Sequence, residues 1–146
     1  MNWFKQAQEL LDSIGRPIPN WGGQTVYHAT DEEGLKDMQK NGYRFWNMDE
    51  QTGYYGHAVH FAVDANYAKS FGSVVTIAKI QNGTKILNLN DSQDFDIFAK
   101  ATKGRYGLEY RNIITELGYD GVYDPGAGDL ALYNPEKAIF EGILKR

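Results

Sequence analysis

Apolar positions along this chain change their spacing several times, and each change predicts an element. Trp3, Phe4, Ala7, Leu10, Leu11 and Ile14 recur at helical spacing, and Gly15, Pro17 and Pro19 end the pattern. A connector through Asn20 to Gly23 leads to a strand over Thr25 to His28. A helix over Glu32 to Lys40 follows, capped by Thr30 or Asp31, with Leu35 and Met38 inward and Asn41-Gly42 as its stop. Gly53 and Gly56 free the backbone before the short β-branched run Ala58 to Val63, which reads as a buried strand. Asp64 then caps a helix carrying Ala65, Ala68 and Phe71, stopped by Gly72.

The second half repeats these signals. Ser73 to Ile80 alternates as a strand, Asn82-Gly83 turns the chain, and Lys85 to Leu89 forms a further strand. Asn90 to Ser92 opens a short helix with Phe95 and Phe98, and Tyr106, Tyr110, Ile113, Ile114 and Leu117 mark another, closed by Gly118. The remainder reads as a β-meander: Gly121 to Tyr123, a turn through Asp124 to Gly128, Leu130 to Tyr133, and a last strand from Phe140 to Leu144. Strands run together rather than alternating with helices, so the expected class is α+β. The expected division is an N-terminal helix and connector over residues 1–20 and one domain over residues 21–146.

Composition narrows the function. A formal charge of −4 argues against non-specific binding to nucleic acid or anionic membrane, which needs a basic surface. The chain has no cysteine, which excludes disulfides, thiolate nucleophiles and Cys-ligated zinc. No run approaches the apolar length of a membrane helix and the N-terminus lacks an apolar signal core, so a cytoplasmic protein is expected. Asn82-Gly83-Thr84 matches a glycosylation sequon but is read as a turn. Aromatic residues reach 14%, enough for rings to line a cleft as well as fill a core.

Candidate chemistry concentrates between Gly53 and Gly72, where a glycine-broken aromatic loop runs into a strand bearing His60 and then a helix bearing Phe71. Of the 3 histidines, His28 ends one predicted strand and His60 sits within another, while His57 is a loop residue. His57 and His60 would face opposite sides of a strand and no His-Glu-x-x-His pattern exists, so no metal site is expected. Neither Gly-x-Gly-x-x-Gly, nor a phosphate-binding Gly-Lys-Ser/Thr loop, nor Gly-x-Ser-x-Gly occurs.

Three segments in series carry a resemblance. Val26-Tyr27-His28-Ala29-Thr30 resembles the His-Gly-Thr/Ser strand that opens the NAD pocket of the ADP-ribosyltransferase superfamily, in its diphtheria-toxin-like and poly(ADP-ribose) polymerase-like branch. Gly56-His57-Ala58-Val59-His60-Phe61-Ala62 resembles the second element, Gly-x-Gly-x-Tyr-Phe-Ala. Asp129 to Pro135, preceded by Gly118 to Val122, resembles the third, where an acidic residue begins a strand ending in Asp/Asn-Pro. The likeness spans residues 25 to 140 and is nearest the compact versions carried by phages and mobile elements.

This resemblance implies a single-domain split mixed β-sheet with flanking helices, and a mono-ADP-ribosyltransferase that releases nicotinamide from NAD. His28, His60 and Asp129 would be catalytic: His28 on the ribose hydroxyls, His60 where many members have a stacking tyrosine, Asp129 in place of a glutamate. Cofactor contacts would come from Tyr27, His28, the Ala29 backbone, Thr30, Arg44 on the pyrophosphate, His60, Phe61, and Phe71 as a second stacking ring. The implied partners are NAD and a macromolecular acceptor, protein in preference to nucleic acid, with no membrane. A monomer is expected in the cytoplasm of a bacterium or an infected host cell.

Two departures keep alternatives open. Histidine at position 60 is also the pattern of RNA 2′-phosphotransferases, and Asp129 is about 1.5 Å shorter than the usual glutamate. A catalytically inactive binding protein of the same fold is the third reading. Phe71 also reads as core, Arg44 as a surface charge, and Asp129 as a residue that fixes a hairpin turn.

Overall fold

The computed structural model describes residues 4–7, 21–44 and 55–145. Its framework is one mixed sheet of seven strands: β1 (Thr25–Thr30), β2 (Val59–Ala62), β3 (Val74–Ile80), β4 (Ile86–Asn88), β5 (Gly121–Asp124), β6 (Asp129–Leu132) and β7 (Ala138–Ile143). They lie in the order β4-β5-β6-β2-β1-β3-β7. β4 and β5 run parallel, and every other neighbouring pair is antiparallel. The helices are α1 (Glu32–Asn41), α2 (Ala65–Ala68), α3 (Ser92–Thr102) and α4 (Gly107–Glu116). The class is therefore α+β, as the run of strands predicts.

Pairing is uneven, and the unevenness makes the site. β1 is laddered to β3 over its whole length, from Thr25 opposite Lys79 to Thr30 opposite Val74. β2 is laddered to β6 from Val59 opposite Leu132 to Ala62 opposite Asp129. Between β1 and β2 only Tyr27 and Ala62 face each other in register. The sheet is thus two well-laddered halves that meet at a narrow seam and splay apart beside it.

Alternation along the strands sorts side chains between the two faces. Val26, Val59, Phe61, Leu130 and Leu132 build one core, which Met38 of α1 covers. Leu87, Val122, Ala131 and Tyr133 point the other way, beneath Ile97 and Phe98 of α3 and Tyr110 and Ile114 of α4. On that same face, nearer β3, Ala62 and Val75 pack under Ala68 of α2. Residues 4–7 are helical, with Ala7 fully buried in the α3–α4 core. The remaining stretches of the predicted N-terminal helix and connector, and of the loop before Tyr55, lie outside the described residues.

Caps follow the sequence closely. Asp31 rather than Thr30 caps α1, its Oδ1 accepting from Gly34 N at 2.7 Å. Asp64 caps α2 and Asp91 caps α3. Two expectations need correction. The predicted helix from Asp64 to Gly72 closes after Ala68, and Ser70 and Phe71 continue only as tight turns onto Tyr67 O and Ala68 O. At Gly72 the backbone presses on β1, where an added Cβ would lie 2.6 Å from Thr30 O. Of the predicted C-terminal meander, the β5–β6 hairpin forms but the last strand does not join it. β6 is flanked on both sides by β5 and β2, so the chain after Tyr133 crosses through Pro135–Lys137 and pairs as β7 with β3 at the far edge.

Candidate active site

A solvent-open cavity of about 420 Å³ lies at the seam where β1 and β2 diverge, within the range of small-molecule sites. β1 contributes Tyr27, His28 and Ala29; β2 contributes His60, Phe61 and Ala62; the β5–β6 hairpin contributes Ala127 and Asp129; and the segment around α2 contributes Tyr67, Ala68 and Phe71.

Strand register brings His60 and Asp129 together. His60 lies opposite Ala131, and Asp129 is two residues from Ala131 on the same side of β6, so the two are diagonal neighbours on one face. His60 Nδ1 donates to Asp129 Oδ2 at 2.8 Å, with both side chains partly exposed. A carboxylate only accepts, so Nδ1 carries a proton. Nε2 is shut off from water and has no hydrogen-bond partner.

His28 sits on the other face of the sheet, its ring edge-on to Tyr43 and tilted on Phe61. Its Nδ1 reaches through the seam to the His60 carbonyl at 2.6 Å. A carbonyl only accepts, so this Nδ1 also carries the proton and Nε2 is left as an acceptor, the polarity a ribose hydroxyl requires. Burial pushes His28 below its ordinary value of 6.5, outweighing the raising effect of that hydrogen bond, and keeps the ring neutral.

Behind it, Tyr43 Oη donates to Thr76 Oγ1 at 2.8 Å, and Thr76 Oγ1 donates to His28 O at 3.1 Å. Burial raises Tyr43 to about 12, so the hydroxyl stays a donor and the chain of bonds holds β1 in place.

The hairpin is fixed independently. Asp124 Oδ1 accepts from Gly126 N at 3.1 Å and Ala127 N at 3.4 Å, and its Oδ2 accepts from Tyr55 Oη at 2.8 Å. Gly128 takes a φ of +66°, a left-handed conformation that favours glycine, just before Asp129. At the other rim Phe71 is 65% exposed and stands edge-on to Tyr67, ring centres 4.9 Å apart. Phe71 is therefore a surface ring at the cavity mouth and not core.

The structure brings Tyr27, His28, Ala29, His60, Phe61, Phe71 and Asp129 to one cavity. It does not bring Arg44 or Thr30 there. Arg44 lies on the surface and grips Asp37 of α1 through Nε at 3.0 Å and Nη2 at 2.5 Å, which draws the Asp37 carboxyl below its ordinary range. Thr30 packs against Gly34 and Gly72 at the end of β1. His57 lies outside the lining. Sequence reasoning did not name Ala62, Tyr67, Ala68 or Ala127 as site residues. Tyr67 was detectable as the partner four residues before Phe71, on the same side of a helical turn.

Among the described residues, no three His, Asp or Glu side chains gather as a metal site would need, and no helix is long and apolar enough to cross a membrane. No protein-family model matches the chain. No curated protein matches it either.

Proposed function

We propose that the protein is an NAD-dependent mono-ADP-ribosyltransferase of the ADP-ribosyltransferase-like fold, acting on a macromolecular acceptor. One observation carries the reading: His28, His60 and Asp129, from three different strands, line one cavity at the seam of a divided mixed sheet, with Tyr67 and Phe71 at its rim. The donor set suits the substrate. The neutral His28 imidazole offers Nε2 as an acceptor to a ribose hydroxyl, and exposed aromatic rings offer faces to a planar cationic base.

Cleavage of the ribose–nicotinamide bond passes through an oxocarbenium-like state, as glycoside cleavage does. The Asp129 carboxylate in the cavity wall favours that developing positive charge, in surroundings partly closed to water. His28, its ring held by the His60 carbonyl and its own carbonyl by Thr76 Oγ1, orients the ribose without needing to reorganise during the reaction. Phe71 closes over the leaving base. Arg44, engaged with Asp37 and outside the cavity lining, has no part in this reading.

Incubation of the purified protein with NAD tagged on the adenosine side and a bacterial lysate tests the reading. Transfer of the tag to lysate proteins, with nicotinamide released in equal amount, is the expected result. Tag that stays on NAD under all conditions contradicts it.

A further inference from the structure

Asp124 and Asp129 are direct cross-strand partners at the end of the β5–β6 hairpin, so their side chains leave the sheet on the same face. Two carboxylates so placed repel each other, and each is engaged by donors of its own. Asp129 is held to His60 Nδ1, while Asp124 accepts from Gly126 N, Ala127 N and Tyr55 Oη.

The turn between them is weakly packed. Pro125, Gly126 and Ala127 are exposed. Ala127 and Asp129 line the candidate active site, whereas Asp124, Pro125 and Gly126 line a second cavity of about 400 Å³ beside Phe95 and Phe98 of α3. Among the described residues the hairpin is thus a wall with open space on both sides, and its position rests on hydrogen bonds.

Tyr55 supplies the longest-range of these. Its ring is buried against Phe98, its carbonyl accepts from Tyr133 Oη at 2.9 Å, and its own hydroxyl donates to Asp124 Oδ2 at 2.8 Å. Tyr133 is fully buried, which pushes its hydroxyl far above the ordinary value and keeps it a donor. Tyr55 therefore ties the core end of the hairpin, just past β6, to the strand position opposite Asp129.

We propose that Tyr55 is a positioning residue for Asp129: acting through Asp124, it fixes the β5–β6 turn and so sets the contact between Asp129 and His60. The catalytic consequence rests on the transferase reading above. Tyr55 and Asp124 lie outside the lining of the active-site cavity, so their effect on the reaction passes through Asp129. A hydroxyl donating to a carboxylate makes a charge-assisted bond, stronger than a neutral one. Its loss leaves the Asp124 charge less compensated directly opposite Asp129, and a misplacement of about 1 Å at a reacting group can cost about 100-fold in rate.

Tyr55→Phe tests this, because it keeps the ring against Phe98 and the carbonyl that Tyr133 holds and removes only the hydroxyl. One readout needs no activity. NMR of the wild type should show a His60 Nδ1 proton shifted downfield by its bond to Asp129 and slow to exchange; in Tyr55→Phe it should move upfield and exchange at least about 10-fold faster. With NAD, Tyr55→Phe should lower kcat by about 10- to 100-fold and change KM by less than about threefold. The double variant Tyr55→Phe/Asp124→Ala should be no slower than Asp124→Ala alone, because the two residues act in series. A His60 signal that is absent in the wild type or unchanged in Tyr55→Phe, a loss confined to KM, or losses that simply add in the double variant overturns this inference and leaves the transferase reading standing. Absence of nicotinamide release by the wild type overturns that reading, and the NMR comparison alone then decides whether Tyr55 places Asp129.

Discussion

At the scale of single residues, the atoms already engaged decide what the cavity can offer a ligand. His28 and His60 each have Nδ1 tied to an acceptor, and the buried, neutral His28 presents Nε2 as a lone pair. His28→Ala and Asp129→Ala should each cost at least about 3 kcal/mol of transition-state stabilisation, read as a loss of about 100-fold or more in kcat/KM.

The burial of His28 also makes a stability prediction. Its folded value lies below the 6.5 of the unfolded chain, so above that pH both states are neutral and nothing is gained or lost. As pH falls below 6.5 the unfolded chain takes the proton and the folded one does not, so stability declines toward the lower folded value. Denaturant midpoints measured from pH 7.5 down to pH 5 should fall for the wild type, and fall less for His28→Gln.

His28, His60 and Asp129 were legible from their motifs, because residue type and order are properties of the sequence. Arg44 was not, because nothing in its spacing from His28 reveals that Asp37, two helical turns upstream, takes the guanidinium first.

At the scale of elements, local signals decided what formed but not what paired. Asp31, Asp64 and Asp91 cap where short polar side chains precede apolar periodicity, and strands appear where β-branched runs occur. Pairing depends on which strand edges remain open after the others dock, and this is why β7 reaches β3 instead of β6. Beyond the end of α2, the Gly72 backbone lies so close to β1 that an added Cβ would be 2.6 Å from Thr30 O.

Gly72→Ala should therefore destabilise the fold by about 1 to 3 kcal/mol, measured by chemical denaturation, since the added methyl meets backbone that cannot turn aside. Phe71→Ala should leave stability within about 0.5 kcal/mol, because the ring is 65% exposed, and raise KM for NAD by about 10-fold through loss of a stacking face.

At the scale of the whole molecule, the sheet is strongly laddered in two halves and barely joined between them, and the proposed function would use the gap. The gap gives a ligand access to backbone and side chains from both faces, which a continuous sheet would deny. Amide hydrogen exchange should be faster at the Tyr27–Ala62 seam than along the β1–β3 ladder, and NAD should slow exchange at the seam selectively. The three motifs imply such a division, whereas the single pairing that defines it becomes visible only in the folded chain.

The most direct measurement is the rate of nicotinamide release from NAD by wild type and by Asp129→Ala, side by side, in the presence of lysate protein. Release by the wild type, falling by about 100-fold or more in the variant, is the predicted result. Equal rates in the two proteins, or no release by either, would contradict the claim that the cavity of His28, His60 and Asp129 cleaves NAD.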